Sequence, residues 1–295
     1  MAHLGIDIGG TKTLVCFGTL EGEVIAEERF PTKIDAPFIE QQLPALIETA
    51  KKMTRGEEIE SIGLSHPGPI SLKRGCILTP PNLPHWHNTP VVQVVQEAFN
   101  RPVYFQNDAN AAALAEYYFG HRKNTANLIY LTASTGMGGG LIIDHKLLEG
   151  ASDIAGEVAY LTLDPSGPPF RRGLFGTFEA YCGGAAIAAT YGASVRDLLI
   201  DVRAGKPKAL AVWDTFIERL AQGIGILLMT LNPEAILLGT IAHHAGDLLF
   251  GPLQAKLPRY ALSEAISAAT IEASKLGEKR SALSSLATIR QRTKP

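Results

Sequence analysis

The feature that most constrains this chain is the junction that runs from residue 102 to residue 116. An extended apolar segment, Pro102-Val103-Tyr104-Phe105, leads through Asn107-Asp108 straight into Ala109-Asn110-Ala111-Ala112-Ala113-Leu114-Ala115-Glu116. Alanine is the best helix former, and Asn and Asp are favoured where helices begin. A strand therefore passes into a helix with no loop between them. Asp108 falls at the positive end of the helix dipole and at the carboxyl end of the strand, where open α/β sheets bind ligands. The residues alone leave it two roles: to cap the helix, or to take a proton from a bound hydroxyl.

The alternation of strands and helices extends along the whole chain and predicts an α/β architecture. Residues 4–8, 13–17 and 23–30 read as a β-meander whose first turn is Gly9-Gly10-Thr11-Lys12. Helical spacing runs over 37–54, and a strand over 59–64 ends in Ser65-His66-Pro67-Gly68-Pro69. Residues 71–90 are loop-rich, a helix follows to about 100, and 117–127 is the boundary between domains. The second half opens with a strand at 128–131, the turn Thr132 to Gly140, and a strand at 141–144. A glycine- and proline-containing stretch spans 150–176. Helices are expected at 177–190, 195–204 and 210–231, the last stopped by Asn232-Pro233. Then come a strand at 235–238, a helix to about 253, a strand at 268–273 and a helix at 281–290. Both halves open with a strand and a turn rich in glycine and hydroxyls, without a residue-level repeat.

The 295 residues allow two domains of ~150 each. With 27 Lys and Arg against 29 Asp and Glu, the net charge of −2 carries no nucleic-acid footprint. No apolar run approaches the roughly 18 to 20 residues that span a bilayer. Met1-Ala2-His3-Leu4 enters a strand without a secretory apolar region. Cys16, Cys76 and Cys182 form neither a disulfide framework nor zinc spacing. A reducing cytoplasm is the expected setting.

Two turns carry chemistry. In Asp7-Ile8-Gly9-Gly10-Thr11-Lys12-Thr13, paired glycines let the backbone approach a bulky anion and turn N–H groups toward phosphate oxygens. Thr11 and Lys12 add donors, and Asp7 could hold Mg²⁺ through water. The alternative is a tight hairpin closed by a buried aspartate. The lysine precedes no helix, so this is not a P-loop. In Ser134-Thr135-Gly136-Met137-Gly138-Gly139-Gly140, four glycines fall within five residues. A plain two-residue hairpin turn needs one or two. The excess points to a backbone approached by a ligand.

Together these segments resemble the ROK family of sugar kinases, within the two-domain actin-like and hexokinase-like (ribonuclease H-like) ATPase fold, over nearly the whole length. Asp7 to Lys12 resembles its first phosphate motif and Thr135 to Gly140 its second. His66-Pro67-Gly68-Pro69, Pro81-Asn82-Leu83 with Trp86, and Asn107-Asp108-Ala109-Asn110-Ala111 resemble its sugar-facing segments, and Leu238-Gly239 its adenosine segment. The resemblance implies that Asp108 is the general base that accepts the proton of a sugar hydroxyl as it attacks the γ-phosphate of ATP. It places Gly68, Asn82, Asn107, Glu157, Tyr160 and Glu179 against the sugar. Asp7, Gly9, Gly10, Thr11, Lys12, Thr135, Gly136, Gly138 and Gly239 would serve ATP and its Mg²⁺. The implied domains are 1–118, with the last helix (about 276–295) packing back, and 119–275, facing across a central cleft whose closure excludes water. A homodimer is implied as well.

The departures are specific. After Ala155-Gly156-Glu157 the family continues Ile-Gly-His, whereas Val158-Ala159-Tyr160 stands here. Its zinc segment, Cys-x-Cys-Gly-x-x-Gly-Cys-x-Glu, is replaced by Phe170-Arg171-Arg172-Gly173-Leu174-Phe175-Gly176-Thr177-Phe178-Glu179. The three cysteines and the histidine are gone, and a tetrahedral zinc needs four ligands. Tyr160 could offer a hydroxyl there or merely pack. Gly239-Thr240 replaces Gly-Gly, which leaves room for a donor other than ATP, such as polyphosphate. His85-Trp86-His87 reads as a loop shielding the sugar, His243-His244 as surface, and Cys182 as a small buried hydrophobe. Arg171-Arg172 is either solvated or reaches an anionic group, and Tyr117-Tyr118-Phe119 is core or a subunit contact.

The expected activity is phosphorylation of a hexose or hexosamine, first the 6-hydroxyl of glucose, then N-acetylmannosamine or N-acetylglucosamine. Family repressors bear an N-terminal helix-turn-helix where this chain starts at a strand, so the rival of another class is a non-catalytic sugar-binding sensor. Elemental analysis of the purified chain is expected to find no stoichiometric zinc, and one equivalent would contradict this reading.

Overall fold

The computed structural model describes residues 2–80 and 83–293. By contact the chain sorts into two units. One runs through Asn124 and takes in Glu149–Ala155 and the stretch from Leu276 onward; the other comprises Thr125–Leu148 and Gly156–Lys275.

The first unit begins with the meander β1 (Ala2–Ile8), β2 (Lys12–Gly18) and β3 (Val24–Pro31). Helix α1 (Gln42–Thr54) starts later than the periodicity over 37–54 predicts. Pro44 fixes this start, because proline is tolerated only in a first turn. Strand β4 (Ile59–His66) runs two residues past its expected end. The loop-rich stretch holds a small hairpin, β5 (Ile70–Ser71) with β6 (Cys76–Ile77). Helix α2 (Val91–Phe99), strand β7 (Val103–Asn107) and helix α3 (Asp108–Phe119) follow.

The second unit opens with β8 (Leu128–Ala133), β9 (Met137–Ile143) and β10 (Lys146–Leu147). Strand β9 begins four residues before the expected strand at 141, so three of the clustered glycines are strand and not turn. The helix expected over 177–190 is two, α4 (Phe178–Cys182) and α5 (Gly184–Tyr191), parted where Gly183 turns extended. Helices α6 (Val195–Arg203) and α7 (Pro207–Leu231) lead to β11 (Ala235–Leu238). The helix expected to about 253 is also divided, into α8 (Ile241–Ala245) and α9 (Asp247–Lys256), at Gly246 with φ 55° and ψ −128°. Helix α10 (Ser263–Ala268) was not legible in the pattern, and β12 (Thr270–Ala273) ends the sheet. The chain closes with α11 (Arg280–Thr293), part of the first unit.

The two sheets have one topology. The first orders its strands β3-β2-β1-β4-β7 and the second β10-β9-β8-β11-β12. In each, three antiparallel strands are extended by two parallel ones. The parallel strands Ile62, Leu64, Ile129, Ile236 and Leu237 are fully buried apolar runs, as sheets covered on both faces require.

Helix α11 is buried continuously from Ala282 to Ile289. Ser285 and Thr288 return their hydroxyls to carbonyls of the helix itself, at 2.9 Å to Ala282 and 2.7 Å to Ser285. Such close seating requires glycine on the sheet beneath: a Cβ on Gly63 would run into the Ser285 carbonyl, and one on Gly5 into Cys16 and Ser285. The Ser285 carbonyl is backbone and cannot swing aside as a side chain would. Gly63→Ala is expected to cost about 1–3 kcal/mol of stability, measured by denaturant unfolding.

His66 ends β4 fully buried, its Nδ1 2.5 Å from the Pro67 carbonyl and its ring 6.0 Å from that of Trp86. Among the described residues, Nε2 has no hydrogen-bond partner. Burial lowers the imidazole pKa to about 4, opposed by the Pro67 carbonyl. An unfolded histidine titrates near 6.5 and takes its proton first as pH falls, so the native state loses stability between about 6.5 and 4. The loss attributable to His66 is expected to be about 3 kcal/mol across that window, read as a flatter stability–pH curve in His66→Gln.

Candidate active site

In the first unit, β1, β4 and β7 are parallel and end at one edge of the sheet. Asp7 lies beside Ser65, Ser65 beside Gln106, and His66 beside Asn107. The first glycine turn, the Pro67-Gly68 segment and the Asn107-Asp108 junction therefore leave the same edge, where parallel sheets bind ligands. The Gly68–Pro69 peptide is cis.

At the junction, Asn107 and Asp108 both reach the first N–H groups of α3. The cap of α3 is Asn107, whose Oδ1 accepts the Ala109 N–H at 2.9 Å and the Asn110 N–H at 3.2 Å. Asp108 is the first helical residue, and its Oδ1 also accepts the Ala109 N–H, at 2.8 Å. Behind it, Gln106 Oε1 accepts the Asn107 N–H at 2.8 Å and the Asn110 amide at 3.2 Å. Gln106 Nε2 donates to Glu149 at 2.8 Å, and Glu149 pairs with Arg292 of α11 at 2.6 Å.

The first turn is stiffened from β3. Gly9 N–H donates to the Lys12 carbonyl at 2.9 Å, Thr32 N–H to Thr11 at 3.0 Å, and the Thr32 hydroxyl to Gly9 at 2.8 Å. A Cβ at Gly10 would meet nothing within 4 Å, and its φ is not positive. The fold itself has no need of glycine there, and the bare backbone leaves room for a bulky group to approach. Thr11 and Lys12 are exposed. Asp7 accepts the Ser65 hydroxyl at 2.6 Å. Burial raises its carboxyl above the ordinary range, against the Ser65 and Ser281 hydroxyls and the charges of Arg280 and Arg29. A desolvated carboxylate oxygen is the donor a hard divalent cation takes, so Asp7 fits Mg²⁺.

In the second unit the turn proper is Ser134-Thr135-Gly136, closed by the Ser134 N–H to the Gly136 carbonyl at 2.9 Å. Gly138, Gly139 and Gly140 pair with Thr132, Leu131 and Tyr130. Gly139 is glycine for packing, since its Cβ would press on the Gly156 carbonyl and Val158, both at 2.9 Å. Gly239 donates to the Leu131 carbonyl at 2.7 Å, which sets the Leu238-Gly239 segment on the same edge as that turn. Thr240 holds φ 24°, a conformation that strains a β-branched residue. Its hydroxyl lies 3.3 Å from that of Thr132.

Glu179 accepts the Met137 N–H at 2.7 Å and pairs with Arg171 at 3.1 Å. Arg171 thus reaches an anionic group. Glu157 has a raised carboxyl pKa, first from desolvation and then from the charge of Glu179, with Arg172 opposing. Tyr160 sits in the 3-10 turn Val158–Tyr160 and packs edge-on against Phe170 at 5.6 Å. The residues at the family's four zinc-ligand positions are Tyr160, Phe170, Arg172 and Thr177. They do not fit the ion: one is a cation, one a hydrocarbon ring, and none is a thiolate or imidazole. The segment is held instead by the bridges Thr162 to Thr177 and Pro169 to Phe175 and by Thr177 capping α4.

Some expectations change. Trp86 is fully buried, donates its indole N–H to the Ala36 carbonyl at 3.1 Å, and packs edge-on against Phe38. His85 and His87 beside it are exposed, as are His243 and His244. Cys182 is buried. Arg290 lies over the rings of Tyr118 and Phe119, at 4.8 and 5.4 Å. Asn82 lies outside the described residues. Ser65, Gln106, Glu149 and Arg292 escaped the sequence reading, because their roles depend on partners 43 to 143 residues away. The adjacency of Gln106 to Asn107-Asp108 was the one local signal.

The model of the ROK family matches residues 3–292. The chain is 28% identical over 309 residues to a glucokinase of Thermotoga maritima, covering 98% of this chain and 97% of that one. It is 30% identical over 310 residues to a xylose repressor of Caldicellulosiruptor bescii, covering 97% of this chain and 77% of the repressor. A ROK family glucokinase from Streptomyces griseus, solved in complex with glucose and AMPPNP, superposes with a TM-score of 0.81 at 27% identity, covering 98% and 99% of the two chains. With its two sheets of one topology in the actin-like ATPase fold and its motifs matched from the first strand to the last helix, the chain belongs to the ROK family.

Proposed function

We propose that this chain is a sugar kinase that transfers the γ-phosphoryl group of ATP to a hexose or hexosamine, first the 6-hydroxyl of glucose, with Asp108 as general base. The observation that carries the reading is the division of labour at the junction. Asn107 caps α3, so Asp108 stands in the first helical turn at the sheet's ligand-binding edge without being the cap. The similarity to glucokinases over nearly the full length supports the same activity.

In this reading Asn107, Gly68, Asn82, Glu157, Tyr160 and Glu179 orient the sugar. The cap uses Asn107 Oδ1 and leaves its amide N–H groups to donate to a sugar hydroxyl. Asp108 accepts the proton of the attacking hydroxyl. The sugar oxygen bonds to the γ-phosphorus, the bond from that phosphorus to the bridging oxygen breaks, and ADP leaves with its electron pair. Phosphoryl transfer depends on positioning and charge neutralisation more than on covalent help. N–H groups around Gly9, Gly10, Thr135, Gly136 and Gly138, with the Thr11 and Lys12 side chains, take phosphate oxygens, and Gly239 lies toward the nucleoside. Asp7 would hold Mg²⁺, which supplies charge neutralisation on the phosphate oxygens when bound. The donor set replacing the family's zinc ligands makes the enzyme zinc-free. The protein acts as a cytoplasmic homodimer. Strain at Thr240, where the family has glycine, leaves polyphosphate as a second donor to test.

Similarity to a xylose repressor favours one other reading, a sugar-binding protein that transfers no phosphoryl group. A coupled assay of ADP release over a panel of glucose, N-acetylmannosamine, N-acetylglucosamine and xylose separates the two. Stimulation by at least one hexose is expected. Asp108→Asn should lower kcat by ~10²–10⁴ with little change in sugar KM. Absence of stimulation by every sugar, or an Asp108→Asn variant as active as the parent, would refute the kinase mechanism.

A further inference from the structure

Glu179 is held from two sides within the second unit. Oε2 accepts the N–H of Met137, the first residue after the Ser134–Gly136 turn, at 2.7 Å. Oε1 meets the Arg171 guanidinium at 3.1 Å. Other bonds fix the earlier part of that turn: Gly184 N–H donates to the Ser134 carbonyl and Ala185 N–H to the Thr135 carbonyl, each at 2.8 Å. Neither reaches Met137, which is left to Glu179. A Cβ on Gly136 would come within 2.8 Å of the same carboxylate, so the turn and the carboxylate are fitted to each other.

The Glu179 side chain is only 12% exposed, and Glu157 places a second negative charge near it. A carboxylate so placed requires a cation or a set of donors. Arg171 is the cation that touches it, from the 3-10 turn Arg171–Gly173. The guanidinium is oriented in turn by the Phe170 ring, 5.5 Å away.

We infer that Arg171 is a positioning residue: it anchors Glu179 and, through Glu179, sets the backbone of the second glycine turn at Met137. The inference rests on the reading of that turn as a phosphate cradle and of Glu179 as a sugar contact. Arg171 is 51% exposed, so the ion pair adds little to global stability. Its contribution is geometric, because a planar guanidinium fixes the orientation of a carboxylate as well as its distance. Lysine keeps the charge without the fork.

The test uses the full-length chain with Arg171→Gln and Arg171→Lys. Arg171→Gln is expected to leave Tm within about 3 °C. In ligand-free protein, amide exchange of the segment 134–140 should rise roughly fivefold, the factor that loss of a solvated ion pair can give. Sugar kcat/KM should fall about tenfold, mostly through KM, because Glu179 contacts bound substrate in the ground state as well as in the transition state. Arg171→Lys should recover at least half of the lost exchange protection. Unchanged exchange at 134–140 in Arg171→Gln, or an Arg171→Lys variant no better than Arg171→Gln, overturns the inference. Faster exchange in a chain whose parent phosphorylates no sugar upholds the positioning role and rejects the kinase reading instead.

Discussion

In the first unit, the junction between β7 and α3 depends on one buried acceptor, the side-chain oxygen of Gln106. It takes the Asn107 N–H and the Asn110 amide together, and Gln106 is 1% exposed. A buried donor left without such a partner costs about 1–3 kcal/mol, so the strand cannot turn into the helix in another way without loss. The opposite end of Gln106 donates to Glu149, which Arg292 neutralises. Three pieces far apart in sequence thereby hold one turn: the end of β7, the short segment that begins at Glu149, and the last helix. Asp108 inherits its position from all three.

The duplicated sheet topology explains why each half carries one glycine-rich turn. In both, the first hairpin closes at the carboxyl end of the strand that also begins the parallel part of the sheet. A hairpin there must turn sharply and expose N–H groups at the ligand-binding edge. The two turns meet that demand differently. Around Gly10 the space is open, while Gly136 is pressed against Glu179. One turn is braced by the Thr32 hydroxyl and the other by a carboxylate that an arginine pairs. Hydroxyl bracing is neutral, whereas the Glu179–Arg171 pair brings charge to the edge of the second sheet.

In the segment from Leu163 to Thr177, side chains that do not fit a tetrahedral zinc stand where the family's ligands would, and other contacts order it. A zinc centre gathers four ligands with large free energy and fixes a loop by itself. Here the same positions carry an edge-on aromatic pair, two isolated β-bridges, a helix cap and one half-exposed ion pair. Each is weak alone, and together they order the loop only because Phe178 and Cys182, buried in α4, tie its end to the core.

The sequence by itself determined the alternation of strands and helices, the two glycine turns and the strand-to-helix junction at Asn107-Asp108, because each rests on local chemistry: apolar runs, backbone freedom and capping. It also marked the missing zinc ligands, since a metal site is written in donor types. It misplaced the glycines of β9, joined helices that Gly183 and Gly246 part, and missed α10. A glycine reads as a turn until a neighbour such as Val158 is seen to need the space. What only the tertiary structure decided was that Asn107 is the cap of α3, and that Gln106, Glu149 and Arg292 act at all. Those roles come from hydrogen bonds and ion pairs whose partners folding brings together, and spacing along the chain carries no trace of them.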